Sequence, residues 1–290
     1  MLGLPGMAIV SWLFPQKAWR KLARMAAPVA AALALPVRDN VDRIAAVAGD
    51  RLDGNSARDI QLESMANFIV GSLRVLRDYR PGGWQPEIEL RGAEHIDAGL
   101  RNGRGVILWV ANFHAHNLVA KMAFHRAGYP VSHLSLWRHG YSDTRFGARF
   151  LNPIRTTIEE RYLRERVVIA PAGPTAALIR LRRRLRANGV VSITTGAERA
   201  RSTEVAFLDG TISVAAGAPS LAYHQRAALL PVFSIEQDHA RFVITVAPPL
   251  VNEATRSAPE HAAWAARELG TLLEPYVRRS PGQWRSWFDL

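Results

Sequence analysis

The chain contains no cysteine, which excludes disulfides and thiolate metal sites and suits a reducing compartment. It also lacks an uninterrupted apolar run of about 20 residues, the length that a membrane-spanning helix needs. The nearest approach, MAAPVAAALALPV at 25–37, is Ala-rich and broken by Pro28 and Pro36. No P-loop, dinucleotide fingerprint or serine nucleophile elbow occurs, so neither a nucleotide cofactor nor a serine-linked intermediate is expected. His224, His239 and His261 have no metal-ligand spacing and read as surface or capping residues. Internal repeats and low-complexity tracts are missing as well.

What is present is a chain of 290 residues, 48% of them hydrophobic, enough for one large domain or a domain with a helical extension. Lys+Arg of 37 against Asp+Glu of 25 leaves a net charge of +12. Such a surface favours anionic partners: phospholipid, nucleic acid or an acidic carrier protein. Arginine heavily outnumbers lysine, a bias that a GC-rich genome also produces.

Residues 1–80 read as a helical extension, and 81–290 as the main domain. Within the extension, 58–80 carries Ile60, Leu62, Met65, Phe68, Ile69, Leu73 and Leu76 at near-helical spacing, stopped by Pro81-Gly82-Gly83. Upstream of 25–37 lie Lys17, Arg20, Lys21 and Arg24, with Trp12, Phe14 and Trp19 nearby. That combination suggests an interfacial anchor, with basic residues toward anionic headgroups and aromatics in the boundary layer. A signal-like segment and a plain buried helix are the alternatives.

From Glu87 onward strands and helices alternate. Strands are expected at 87–91, 105–110, 131–136, 190–194, 228–235 and 241–246, and helices at 94–102, 118–127, 176–187, 215–225 and 259–279. The fold class is therefore α/β, a mixed and largely parallel sheet flanked by helices, with an N-terminal helical extension. In the helix at 176–187, Leu178, Ile179, Leu181 and Leu185 are expected to pack inward, leaving Arg180, Arg182, Arg183, Arg184 and Arg186 solvated. Exposed aromatics of the kind a nucleic-acid surface interleaves with its basic residues are missing there.

The stretch GVILWVANFHAHNLVAKM, 105–122, organises the rest. Its apolar run suits a strand covered on both faces, ending abruptly in a polar turn and then a helix. Asn112, His114, His116 and Asn117 fall in that turn, where ligands of open α/β sheets bind. Asn and His are also ordinary turn and capping residues.

Taken together with ELRGAEHIDAGLRNGRGVIL (89–108), LRANGVVSI (185–193), VAFLDGTISVAAGAPSLAYHQRAALLPVFSI (205–235), VITVAPPL (243–250) and SPGQWRSWF (280–288), this stretch resembles the late acyltransferases of lipid A biosynthesis. These lauroyl and myristoyl transferases form a branch of the lysophospholipid acyltransferase-like superfamily. The resemblance implies transfer of a fatty acyl group from an acyl carrier protein or CoA thioester to an acceptor, without an acyl-enzyme and without a cofactor or metal. It also implies a peripheral place on the cytoplasmic face of the bacterial inner membrane. Members carry a His followed five positions later by Asp or Glu, in which the His is general base and the carboxylate orients it.

Here that pair is replaced, for Asn112 stands at the His position and Asn117 at the carboxylate position. Five residues after His114 comes Val119, and five after His116 comes Lys121, so no shifted copy exists. Arg138 falls where the family has an Arg after the next strand, with His139 beside it. Glu198 is the carboxylate nearest the family's second acidic position, which aligns with Gly196. His133 reads as a polar residue at a strand edge, and Gly217-Ala218-Pro219 as a structural helix start. Three readings follow. The chain is a divergent acyltransferase acting on an amine or hydroxyl acceptor by direct attack, using His114 or His116 as base, with hydrogen bonds from Asn112 and Asn117 and with Arg138, His139 or Glu198 on the substrate. Or it is a catalytically inactive homologue that binds an acyl chain or carrier. Or, least favoured, it is a basic nucleic-acid-binding protein.

Overall fold

The computed structural model describes residues 3–33, 40–49, 52–142, 144–196, 201–238, 240–252, 254 and 257–290. At its centre lies β2 (Val106–Val110), every residue of which is buried. It is flanked in register by β5 (Val190–Thr194) and β8 (Ala228–Asp238), both parallel to it. The full sheet has seven strands in the order β1-β9-β8-β2-β5-β3-β4, with β1 (Glu87–Arg91), β3 (Val131–Leu136), β4 (Glu165–Ile169) and β9 (Arg241–Val246) completing it. Only the β8–β9 pair is antiparallel. The expected mixed, largely parallel α/β sheet is thus the architecture observed.

Successive side chains of a strand point to opposite faces, and β2 divides its own accordingly. Ile107 and Trp109 enter one core with Leu181, Leu229, Phe233, Leu269 and Trp287. Val106, Leu108 and Val110 enter the other with Ile96, Leu118, Phe124, Ile158 and Phe242. Gly105 makes the approach to β2 possible: its φ is +73°, and a Cβ there would stand 2.8 Å from Gly189 O.

The helical extension holds α1 (Gly3–Leu13), α2 (Gln16–Leu33), α3 (Asn40–Ala48) and α4 (Ala57–Asp78). Ser56 caps α4 reciprocally with Asp59, a capping box that fixes where the helix starts. Ile44, Val47, Leu52 and Ile60 share a buried cluster with Ile107 and Trp109, so α3 and α4 contribute to the core on that face of the sheet. Residues 34–37, the end of the Ala-rich segment, lie outside the described residues. Trp19 is 1% exposed and packs inward rather than entering a boundary layer. Arg20 and Arg24 do not face outward as free charges either, because both pair with Glu63 at 2.8 Å and Arg20 also meets Glu236 at 2.6 Å. Among the described residues up to Leu33, the exposed large apolar side chains are instead Ile9, Trp12, Leu13, Phe14, Met25 and Val29. No described helix is long and apolar enough to cross a membrane.

Beyond the extension, α5 is Ala93–Arg101 and α6 is Lys121–Arg126, the latter preceded by a π-turn at His116–Ala120. Two short helices, α7 (Arg145–Phe150) and α8 (Asn152–Glu160), and edge strand β4 fill the stretch between β3 and α9 (Thr175–Arg186). A separate hairpin, β6 (Ser202–Phe207) with β7 (Gly210–Ala215), precedes α10 (Gly217–Gln225), and α11 (Ala258–Arg279) leads to two 3₁₀ turns at Pro281–Gln283 and Arg285–Phe288. On α9, Leu181 and Leu185 are buried as expected, whereas Ile179 is 61% exposed. Position 179 lies about 100° round the helix from 178, off the face that 178, 181 and 185 share. Arg180 and Arg184 are tied to Glu165, which leaves Arg182, Arg183 and Arg186 as the solvated ones. His133 lies on an interior strand, buried, with Nδ1 2.8 Å from Ser192 Oγ, so it is not an edge residue.

Candidate active site

The polar turn begins where β2 ends, at the carboxyl end of the central strand. Asn112, His114, His116 and Asn117 are all brought there, and all are at least nine-tenths buried. Two elements close over them: α4, through Ser64, and the 3₁₀ turns at the carboxy end.

The backbone of Asn112 is held from both sides, its N–H donating to Thr195 Oγ1 (3.2 Å) and its carbonyl accepting from Arg285 N–H (2.7 Å). Its side-chain Nδ2 donates to Asp289 Oδ2 at 2.8 Å and Ser286 Oγ at 3.1 Å. His114 N–H donates to Gln283 O (2.9 Å), its Nε2 lies 2.8 Å from Ser64 Oγ of α4, and Phe288 stands edge-on to the ring. His116 donates Nδ1–H to Phe113 O, which leaves Nε2 as the lone-pair nitrogen. No side-chain hydrogen bond to Asn117 occurs among the described residues.

Neither imidazole keeps ordinary basicity. Burial holds the His114 ring well below its usual value, reinforced by the positive charge of Arg285. Burial also pushes His116 down to about 3, against the help of the Phe113 carbonyl. The near-neutral base expected from an unperturbed histidine is therefore not what the fold provides.

Beside the turn lies a charge cluster that sequence reasoning missed. Glu159 of α8 is fully buried and receives Lys121 Nζ, Arg155 Nε at 2.7 Å and His139 Nε2 at 2.9 Å. Burial opposes ionisation of Glu159, but its neighbours His139, Lys121 and Arg155 hold the carboxyl well below the usual range. Burial lowers Lys121 and His139. A lysine interrupting an apolar run (LVAKMAF) and the i, i+4 pair Arg155/Glu159 were the available signals, yet nothing in either names the other.

Arg138 does not join this cluster. It is exposed and lies 4.6 Å from the ring centroid of its neighbour Trp137. Glu198 lies outside the described residues. Gly217-Ala218-Pro219 opens α10 as a structural helix start. Among the described residues no group of three His, Cys, Asp or Glu side chains could hold a metal ion.

An open cleft of about 740 Å³ runs along the other side of α4, between Arg20, Arg24, Ile60, Glu63, Asn67, Glu236 and the segment 279–283. It shares Gln283 with the His114 backbone, but none of the turn side chains lines it.

Against known proteins, no curated protein matches the chain. Among solved structures, the 1-acyl-sn-glycerophosphate (LPA) acyltransferase PlsC from Thermotoga maritima is similar at 10% identity. The match covers 91% of this chain and 99% of that one, with a TM-score of 0.39. The family description "bacterial lipid A biosynthesis acyltransferase" matches residues 147–289, from α7 to the final 3₁₀ turn.

Proposed function

We propose that the protein transfers a fatty acyl group from an acyl carrier protein or CoA thioester to a primary amine, by direct attack and without an acyl-enzyme. The observation that carries this reading is that burial leaves both imidazoles of the turn weak bases, and the resemblance sets two carboxamides, Asn112 and Asn117, where a base and its carboxylate would stand. A hydroxyl acceptor depends on such a base for about 10²–10⁴-fold of its rate. A neutral amine does not. Its nitrogen attacks the thioester carbonyl, the C–N bond forms, the C–S bond breaks, and the nitrogen's proton leaves with the thiolate or to solvent. Asn117 would donate to the developing oxyanion. An acidic carrier would meet Arg182, Arg183 and Arg186, which have no ion-pair partner among the described residues. Arg138 and Glu198 remain candidates for contact with the acceptor.

The extension 1–80 would dock on the anionic cytoplasmic face of the bacterial inner membrane. Leu13, Phe14, Met25 and Val29 would enter the boundary layer, and Lys17 and Lys21, both exposed, would meet headgroups.

Incubation with acyl carrier protein and CoA thioesters, beside long-chain amines and alcohols, tests the reading by mass spectrometry. Amide product is expected, at a rate that climbs with the amine's own titration and shows no inflection near pH 6.5. Ester product with an inflection near pH 6.5 would overturn it. A second reading, a catalytically silent homologue that holds an acyl chain or carrier, is favoured by the closure of the turn under residues 283–289. It predicts donor binding with no product of either kind.

A further inference from the structure

We propose that Asp289, 177 residues along the chain from the Asn112 it touches, is a positioning residue of the active site. It holds the Asn112 carboxamide so that the carbonyl oxygen is offered to an N–H of the acceptor. This deepens the amide-forming reading above and rests on it.

Asn112 Nδ2 has both its hydrogens directed at oxygens, Asp289 Oδ2 and Ser286 Oγ. Turning the amide over would set Oδ1 against a carboxylate oxygen at 2.8 Å, acceptor against acceptor, so the orientation is fixed by chemistry. The consequence falls on the other atom. Asn112 Oδ1 is buried and has no hydrogen-bond partner among the described residues. Buried acceptors are almost always satisfied, and an unmet one in an otherwise tightly bonded turn marks a place where a donor is to arrive. It stands at the position where the family's general base meets the acceptor. A carboxamide oxygen there can accept a hydrogen bond and cannot take a proton, which selects for an acceptor carrying a hydrogen to share and needing no base.

The surrounding bonds make Asp289 part of the site rather than a loose end. Gln283 O, Trp284, Arg285 N–H and Phe288 each touch the turn at Phe113, His114 or Asn112, and Asp289 N–H closes on Ser286 O at 2.9 Å. The carboxylate that the turn itself lacks at Asn117 thus reaches position 112 from the carboxy terminus.

The test uses the full-length protein and an acyl thioester with a long-chain primary amine. In Asp289→Asn the new carboxamide can donate to Asn112, which frees the Asn112 amide to turn over and present Nδ2 to the acceptor. The KM for the amine is expected to rise about tenfold with kcat little changed. Asp289→Glu should restore most of the loss, and the thermal midpoint reports any plain structural effect. Amide formation with an unchanged amine KM in Asp289→Asn would overturn the proposal while leaving the amide-forming reading intact. A second measurement does not need turnover. An imidazole placed at 112 by Asn112→His should titrate at least about one pH unit higher with Asp289 present than in the Asn112→His/Asp289→Asn double variant, read by NMR. Equal titration would show that Asp289 does not act on position 112 and would overturn the proposal even if the wild-type protein acylates no amine.

Discussion

Glu63 and Ser64 are neighbours on α4, yet they belong to two different worlds. Ser64 is buried against His114 in the turn at the end of β2. Glu63, about 100° further round the helix, reaches the solvent-filled cleft and pairs with Arg20 and Arg24 of α2. The dry side holds the residues that could do chemistry, and their burial sets their protonation. The wet side holds charges open to solvent, Arg24 and Glu63 among them, and solvent blunts their interactions. Identical residue types therefore differ in consequence, because desolvation decides how much a charge or an imidazole is worth.

The largest expected effect sharpens that contrast. Glu159→Ala strips the partner from buried Lys121 and Arg155 and should cost about 3–5 kcal/mol in urea unfolding. Glu63→Ala, on the wet side, should cost no more than about 1 kcal/mol. Equal costs would erase the distinction between the two faces.

Acid should act on the dry side next. His114, His116, His133 and His139 all have folded-state values below 6.5. Below pH 6.5 the unfolded chain binds protons that the folded chain refuses, so their contribution is complete above 6.5 and is lost as pH falls toward the folded values. Each imidazole that protonates on unfolding steepens the loss by about 1.4 kcal/mol per pH unit. Glu159 adds to it only below about 4.5, the unfolded value above which its own contribution is complete. Urea midpoints measured between pH 7.5 and 5 should fall steadily, and a flat profile would mean that the imidazoles are hydrated after all.

The smallest effect is on the wet side and should leave folding untouched. Lys17→Glu and Lys21→Glu are each expected to weaken sedimentation with anionic phospholipid vesicles roughly fivefold, about 1 kcal/mol per lysine, with no change in thermal midpoint. Undiminished binding would remove the lysines from the docking surface.

Much of the sheet was legible because buried parallel strands are continuous apolar runs: VILWV and VVSIT declare themselves. Edge strand β4, ERVVI, did not, since it pairs only with β3 and keeps four of five residues partly or fully open to solvent. The β6–β7 hairpin was read only as part of a family-like stretch, because it stands apart from the main sheet and half its residues are polar. The π-turn at His116–Ala120 was not legible, for the sequence reads as a polar turn to Asn117 and ordinary helix from Leu118, and contacts of His114 and His116 with Gln283 and Phe113 shape the entrance to α6.

By itself, the sequence determined the strand, the polar turn and the helix at 105–127, and the exclusions that follow from having no cysteine and no nucleotide motif. These are properties of composition and of near neighbours, where spacing is enough. Only the tertiary structure decided that Asn112 meets Asp289 across 177 residues, that Lys121 meets Glu159 across 38, and that two promising histidines are too deeply buried to be ordinary bases. The reason is physical: basicity and hydrogen-bond orientation are set by which groups exclude water from which others, and that depends on contacts between residues far apart in the chain.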